Sequence, residues 1–272
     1  MVPGERVGPV RETGFGRFVT LRERVRSDGS LERWESRWHR KHLAPRPSGG
    51  NVWWAPRERA WWIGVLFAIG SLLFALGVVP AYAAAVGVRA DGLTFFIGSV
   101  FFTAAGFLQY REAVDAAPVA ARPHGRRALV YLPHQIDWWA TAWQFVGTLA
   151  FNVSTAVAVG AAISSTQYRH HVWRPDAVGS VCFLVASVLA WFEVCHGWAA
   201  WCTRSVAWWI AAVNLAGSIT FAVSAVAAFV EPGTTDLLSA PVSNLGTLIG
   251  AVLFFAGATL LLVERMAPQP AG

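Results

Sequence analysis

Six stretches of this chain, near residues 61–83, 92–110, 139–163, 177–195, 205–229 and 243–263, are each long and apolar enough to cross a lipid bilayer. Its hydrocarbon core is about 30 Å thick and takes roughly 20 helical residues. Nothing restricts a fold more strongly. In lipid every backbone N–H and C=O must be satisfied inside the protein, so only helices or a closed barrel can span. The period-2 alternation of a barrel is absent, which leaves helices. Composition agrees, with 55% apolar and 14% charged residues against about 45–50% and about 25% in a soluble domain. A soluble enzyme, a disordered chain and a disulfide scaffold are excluded. Cys182, Cys195 and Cys202 fall in or beside apolar segments without a CxxC pair, and read as buried or lipid-facing thiols.

Orientation follows from the basic residues. Residues 1–60 carry 13 Lys and Arg against 7 acids, the whole of the +6 net charge. With the amino terminus inside, the linker 111–137 adds Arg111, Arg122, Arg126 and Arg127, and Arg204 and Arg265 follow. The outer loops hold only Arg89, Arg169 and Arg174. Both termini are therefore expected in the cytoplasm, with Trp53, Trp54, Trp61, Trp62, Trp138, Trp139, Trp198, Trp201, Trp208 and Trp209 at the inner boundary. No secretory signal is read, because about 60 polar residues precede the first apolar run. A single lysine among 22 basic residues, with abundant Ala and Gly, suggests a bacterial chain and hence the inner membrane.

The chain also repeats itself. Trp61-Trp62, Gly70-Ser71, Phe74 and Gly77 recur as Trp138-Trp139, Gly147-Thr148, Phe151 and Ser154, and again as Trp208-Trp209, Gly217-Ser218, Phe221 and Ser224. The even segments share Gly98-Ser99, Phe102 and Glu112, then Gly179-Ser180, Phe183 and Glu193, then Gly250-Ala251, Phe254 and Glu264. The fold class expected is all-α: a polytopic membrane protein whose six helices form three parallel two-helix repeats, 61–115, 138–195 and 205–265, about a pseudo-threefold axis along the membrane normal. At 100° per residue the Gly, the Phe and the following small residue share one stripe. Gly70, Gly98, Gly147, Gly179, Gly217 and Gly250 are the expected packing positions, where small residues let helices approach closely.

The segments FFIGSVFFTAAGFLQYREA (95–113) and WRPDAVGSVCFLVASVLAWFEV (173–194) resemble the Gly-Ser-x-x-Phe hairpins of the YrhK-like membrane proteins. The resemblance covers short motifs in all three hairpins and is weaker in the last, where Gly250-Ala251 replaces Gly-Ser. It implies a bacterial multi-pass membrane protein and no particular activity.

Three features go beyond packing. Glu112, Glu193 and Glu264 each follow their helix's Gly by fourteen residues, and a carboxylate at a helix C-terminus opposes the macrodipole. Repeated three times, that choice points to an acidic ring or a hydrogen-bonded knot; the blander reading pairs these residues with Arg111 and Arg265 beside them. Gln144 and Asn214 occupy equivalent positions about 7–8 Å beyond the tryptophan pairs, where the first repeat has Phe67. They read either as interhelical hydrogen bonds or as a polar lining with Asn152, Ser154 and Ser224. No charged side chain lies near the bilayer centre, which argues against a proton relay there. Finally, Ser30 is placed to cap a helix over 31–43 with Leu31, Trp34 and Trp38 on one face and Arg33, Arg37, Arg40 and Lys41 on the others. That is an interfacial helix on anionic lipid, in a basic arm spanning 1–60. A nucleic-acid partner is not expected, since acids interleave the basic residues and no binding motif is present.

His170-His171 and the group Cys195, His196 and Cys202 lack four ligands at zinc spacing, so no metal is expected, and no cofactor or catalytic motif is found. The functional expectation is a non-enzymatic packing or assembly module that associates with itself or a partner. The alternative is a small transporter or channel for an ion or a small neutral solute.

Overall fold

The computed structural model describes residues 10–26, 28–42, 53–117, 129–159, 164–231, 234 and 236–266. The linker residues Pro118, Arg122, Pro123, Arg126 and Arg127 lie outside the described residues, as do 160–163 at the end of the third apolar stretch. Six helices are long and apolar enough to cross a membrane: α2 (Arg59–Gly77), α4 (Val88–Ala116), α5 (Ile136–Val159), α7 (Arg174–Cys195), α8 (Val206–Ala227) and α9 (Ala240–Glu264). This is the build of a multi-pass integral membrane protein. Each of the six packs against two others in chain order, and α9 returns to α2, so they form a closed ring.

Between them lie short helices, α3 (Pro80–Val86) and α6 (Ser165–Tyr168). The first apolar stretch, expected to run to residue 83, ends its helix at Gly77. Pro80 starts α3 instead, because its missing N–H is tolerated only in a first turn. The outer segment that holds Arg169 and Arg174 is helical as well. Ser164 and Gln167 close a capping box, a five-residue π-helical stretch Arg169–Trp173 follows, and Pro175 sits harmlessly in the first turn of α7.

The tryptophan end of each hairpin is built to one local plan. The indole Nε1 of Trp61, Trp138 and Trp208 donates to the carbonyl eight residues earlier, at Trp53, Val130 and Ala200. Nε1 of Trp62, Trp139 and Trp209 donates to the carbonyl six residues earlier, at Pro56, Pro133 and Thr203. An indole N–H needs such a partner at a partly apolar boundary.

The axis of the ring is filled by phenylalanine. Phe74, Phe151 and Phe221 form one triangle with centroid separations of 6.5, 6.2 and 6.2 Å. Phe102, Phe183 and Phe254 form a second at 6.2, 6.2 and 5.7 Å. The triangles touch within each hairpin, at 5.6 Å for Phe74–Phe102, 5.3 Å for Phe151–Phe183 and 5.5 Å for Phe221–Phe254. The void left among the six rings is about 10 Å³, no more than one water occupies. Each ring rests on a glycine of the opposing helix. A Cβ on Gly250 would come 2.2 Å from the Phe221 ring, and one on Gly70 would come 2.6 Å from Phe102. Gly147 faces Phe183, Gly98 faces Phe74, Gly179 faces Phe151, and Gly217 lies against the backbone of Gly250. Since lipid is as apolar as these side chains, such interlocking contact is what holds the helices together.

The amino-terminal arm departs from the all-α expectation. It forms a three-stranded antiparallel sheet, β1 (Val10–Phe15), β2 (Phe18–Val25) and β3 (Leu31–Glu35), followed by the short helix α1 (Ser36–Lys41). The interfacial helix expected over 31–43 is therefore a strand and a short helix, with residue 43 outside the described residues. Ser30 does not cap a helix; its Oγ donates to Asp28 Oδ1 in the β2–β3 turn, where Gly29 supplies a φ of 83°. Pairing with β2 overrides the helical spacing, and the Arg22 guanidinium lies 5.6 Å from the Trp34 ring centroid across the pair. The sheet docks on the end of α7, where Phe15 stacks on Phe192 at 4.0 Å.

Candidate functional site: an ionic socket over a polar cavity

Helix α1 is six residues long, or about 9 Å. It brings three carboxylates far apart in the chain, Glu112, Glu193 and Glu264, to one place. Arg37 holds Glu264 through two hydrogen bonds, Nε to Oε1 at 2.6 Å and Nη2 to Oε2 at 3.0 Å. Arg40 holds Glu193 in the same forked manner at 2.8 and 3.0 Å. Lys41 Nζ lies 2.6 Å from Glu112 Oε2. Arg40 Nη1 also reaches Asp137 Oδ2 at 2.9 Å, and Ser36 Oγ donates to Glu193 Oε1 at 2.7 Å. All seven charged side chains are buried, Glu193 to 1% and Arg40 to 4% exposure.

The local physics explains why the carboxylates need this helix. Glu112, Glu193 and Glu264 stand near helix C-termini, where the macrodipole disfavours negative charge. Buried carboxylates persist only when paired and hydrogen-bonded. Asp137 is the reverse case: it occupies the favourable first turn of α5 and accepts from the backbone N–H of Trp138 at 2.9 Å. Burial disfavours the charge on Arg40, but the Glu193 and Asp137 carboxylates outweigh it and hold the guanidinium pKa above its ordinary value.

The neighbouring arginines named with the acidic trio are engaged elsewhere. Arg111 Nη2 pairs with Asp115 at 3.2 Å, and Arg265 Nη1, in a fully buried side chain, pairs with Glu58 at 2.7 Å. The basic residues assigned to a lipid-facing surface, Arg37, Arg40 and Lys41, point instead into the bundle. Their spacing of i, i+3 and i+4 along one helix face was the readable signal. Their match in number to the repeated glutamates was another.

Behind α1 lies a cavity of about 50 Å³. Arg37, Arg40, Asp137 and Glu193 border it on the socket side, and Phe67, Phe102 and Phe254 on the other. Gln144 and Asn214, both half-buried, line it together with Gln109, Thr141 and Ser187. The other polar candidates lie apart from it. Asn152 Nδ2 donates to Thr103 Oγ1 at 2.8 Å and so bridges α5 to α4. Ser224 Oγ donates to the Ser243 carbonyl at 2.7 Å, bridging α8 to α9. Ser154 is buried within α5. Gln109 and Asp137 carried no sequence signal, because neither belongs to the motifs shared among the apolar segments.

His196, just past α7, accepts a left-handed backbone (φ 52°) and places Nδ1 2.9 Å from Thr20 Oγ1 of β2. Burial lowers its pKa below the ordinary histidine value. No group of three or more metal-ligating side chains is present among the described residues. Compared with known proteins, the chain matches no family model, no curated protein and no solved structure.

Proposed function

We propose that this chain is a non-enzymatic packing and assembly module of the bacterial inner membrane, akin to the YrhK-like proteins through its Gly-Ser-x-x-Phe motifs. In this reading three copies of one hairpin surround an axis along the membrane normal, and both termini are cytoplasmic. The matching indole hydrogen bonds and the two phenylalanine triangles support the repeat. The excess of Lys and Arg at the tryptophan end supports the orientation.

The observation that carries the function is the filled axis: six rings leave a void of about 10 Å³, and an ionic socket closes one end. The packing stripes are consumed within one chain, so assembly with a second copy or a partner acts through the outer faces and the sheet. In this reading exposed arginines of the arm, Arg11 and Arg17 among them, meet anionic headgroups. The test is flux through purified protein in proteoliposomes, using Na⁺, K⁺ and small neutral solutes. No movement above protein-free vesicles is expected, and clear flux of any of them overturns the reading.

One observation favours a second reading, a small transporter or channel: the polar cavity stands in line with the axis. Under that reading Gln144→Ala or Asn214→Ala cuts flux more than it lowers thermal stability. The opposite pattern marks both amides as interhelical glue.

A further inference from the structure

The cavity behind α1 has room for roughly three to five waters in its 50 Å³. Its charged border is already paired: Arg37 with Glu264, and Arg40 with both Glu193 and Asp137. The rest of its polar lining carries no charge: Gln109, Gln144 and Asn214 each bring an amide, and Thr141 and Ser187 each bring a hydroxyl. An amide both donates and accepts, and a polar group enclosed without a partner is costly.

The same lining sorts the ligand by charge. A cation would meet the Arg40 guanidinium, an anion would meet Glu193 and Asp137, and either would have to shed its hydration. A neutral molecule that both donates and accepts meets neither penalty. Phe67, Phe102 and Phe254 supply apolar walls on the far side, which suits a flat molecule.

We propose that this cavity binds one small uncharged solute of the primary amide or urea class, of about four non-hydrogen atoms, the volume of the waters it replaces. The proposal deepens the second reading above by naming a ligand, but it requires binding only and no transport.

Saturation-transfer NMR on the full chain in lipid nanodiscs tests it, with acetamide as the probe. Transfer to the acetamide methyl group is expected above the level of empty nanodiscs, and excess urea abolishes it. It is lost in a Gln144→Leu/Asn214→Leu variant and in Ala190→Leu, which fills the cavity from α7. It is retained in Asn152→Leu, whose side chain lies elsewhere. Thermal midpoints exclude any variant that fails to fold, and the wild-type measurement stands without them. Transfer equal to that of empty nanodiscs, the result for a cavity holding water alone, overturns the proposal. So does transfer indifferent to both cavity variants. Binding without flux supports the site and removes the transport reading, whereas flux without acetamide binding removes this ligand and keeps the pathway.

Discussion

Replacing Arg40 by glutamine removes the one cation shared by two buried carboxylates, Glu193 at 2.8 Å and Asp137 at 2.9 Å. Breaking a buried pair from one side costs about 3–5 kcal/mol, because the charge left behind has neither water nor a partner. At about 1.4 kcal/mol per tenfold, α1 should leave its socket between about a hundred and a few thousand times more often. Trypsin reports this directly, since cleavage after Arg37 or Lys41 requires α1 to be released. When opening is fast relative to cleavage, the rate follows the open population. Two controls bracket the result. Glu12→Gln breaks an exposed pair on the sheet, with side chains 46% and 54% exposed, and should change the rate less than about fivefold, since such pairs contribute at most about 1 kcal/mol. Arg40→Met combined with Glu193→Met and Asp137→Leu removes the charges together and should return near the wild-type rate. Trypsin cutting Arg40→Gln at the wild-type rate, or Glu12→Gln just as fast, would refute the account of the socket.

Phe254→Ala opens the axial stack and should lower unfolding stability by about 3–5 kcal/mol, read from thermal unfolding in detergent; a loss below about 1 kcal/mol would mean the rings do not hold the bundle. Gly250→Ala drives a methyl to 2.2 Å from Phe221 and should cost about 1–3 kcal/mol by overpacking, whereas Gly197→Ala, with nothing within 4 Å of its added Cβ, should leave the midpoint unchanged. His196 has a lowered pKa, so the native state binds fewer protons than the unfolded one. Its contribution is present above the ordinary histidine pKa of about 6.5 and is lost as pH falls through the lower native value. Tryptic release of the arm should therefore accelerate below about pH 6.5, and His196→Asn should remove that part of the acceleration, with Glu23, Arg33, Glu35 and Glu193 as the neighbouring charges in both proteins.

The six long apolar helices were legible from the sequence alone. The reason is that a bilayer imposes a local rule: each span must satisfy its own backbone and present apolar side chains over about 20 residues. A run such as 243–263 meets that rule without reference to the rest of the chain. Exact ends were less legible. Pro80 and the Ser164 capping box act through single hydrogen bonds and shift boundaries without changing mean hydropathy.

The arm was misread because local and long-range preferences disagree there. Leu31, Trp34 and Trp38 carry helical spacing, yet β2 offers residues 31–35 a partner ladder, and a short amphipathic segment follows its partner. The pairing within the socket depended on tertiary structure. The carboxylates of Glu112, Glu193 and Glu264 could be picked out by their repetition, but their cations lie 71, 153 and 227 residues away. No periodicity spans such separations. Sequence determined what the bilayer demands of each helix alone; which charge neutralises which, and what space remains behind them, was decided only when the ring closed around α1.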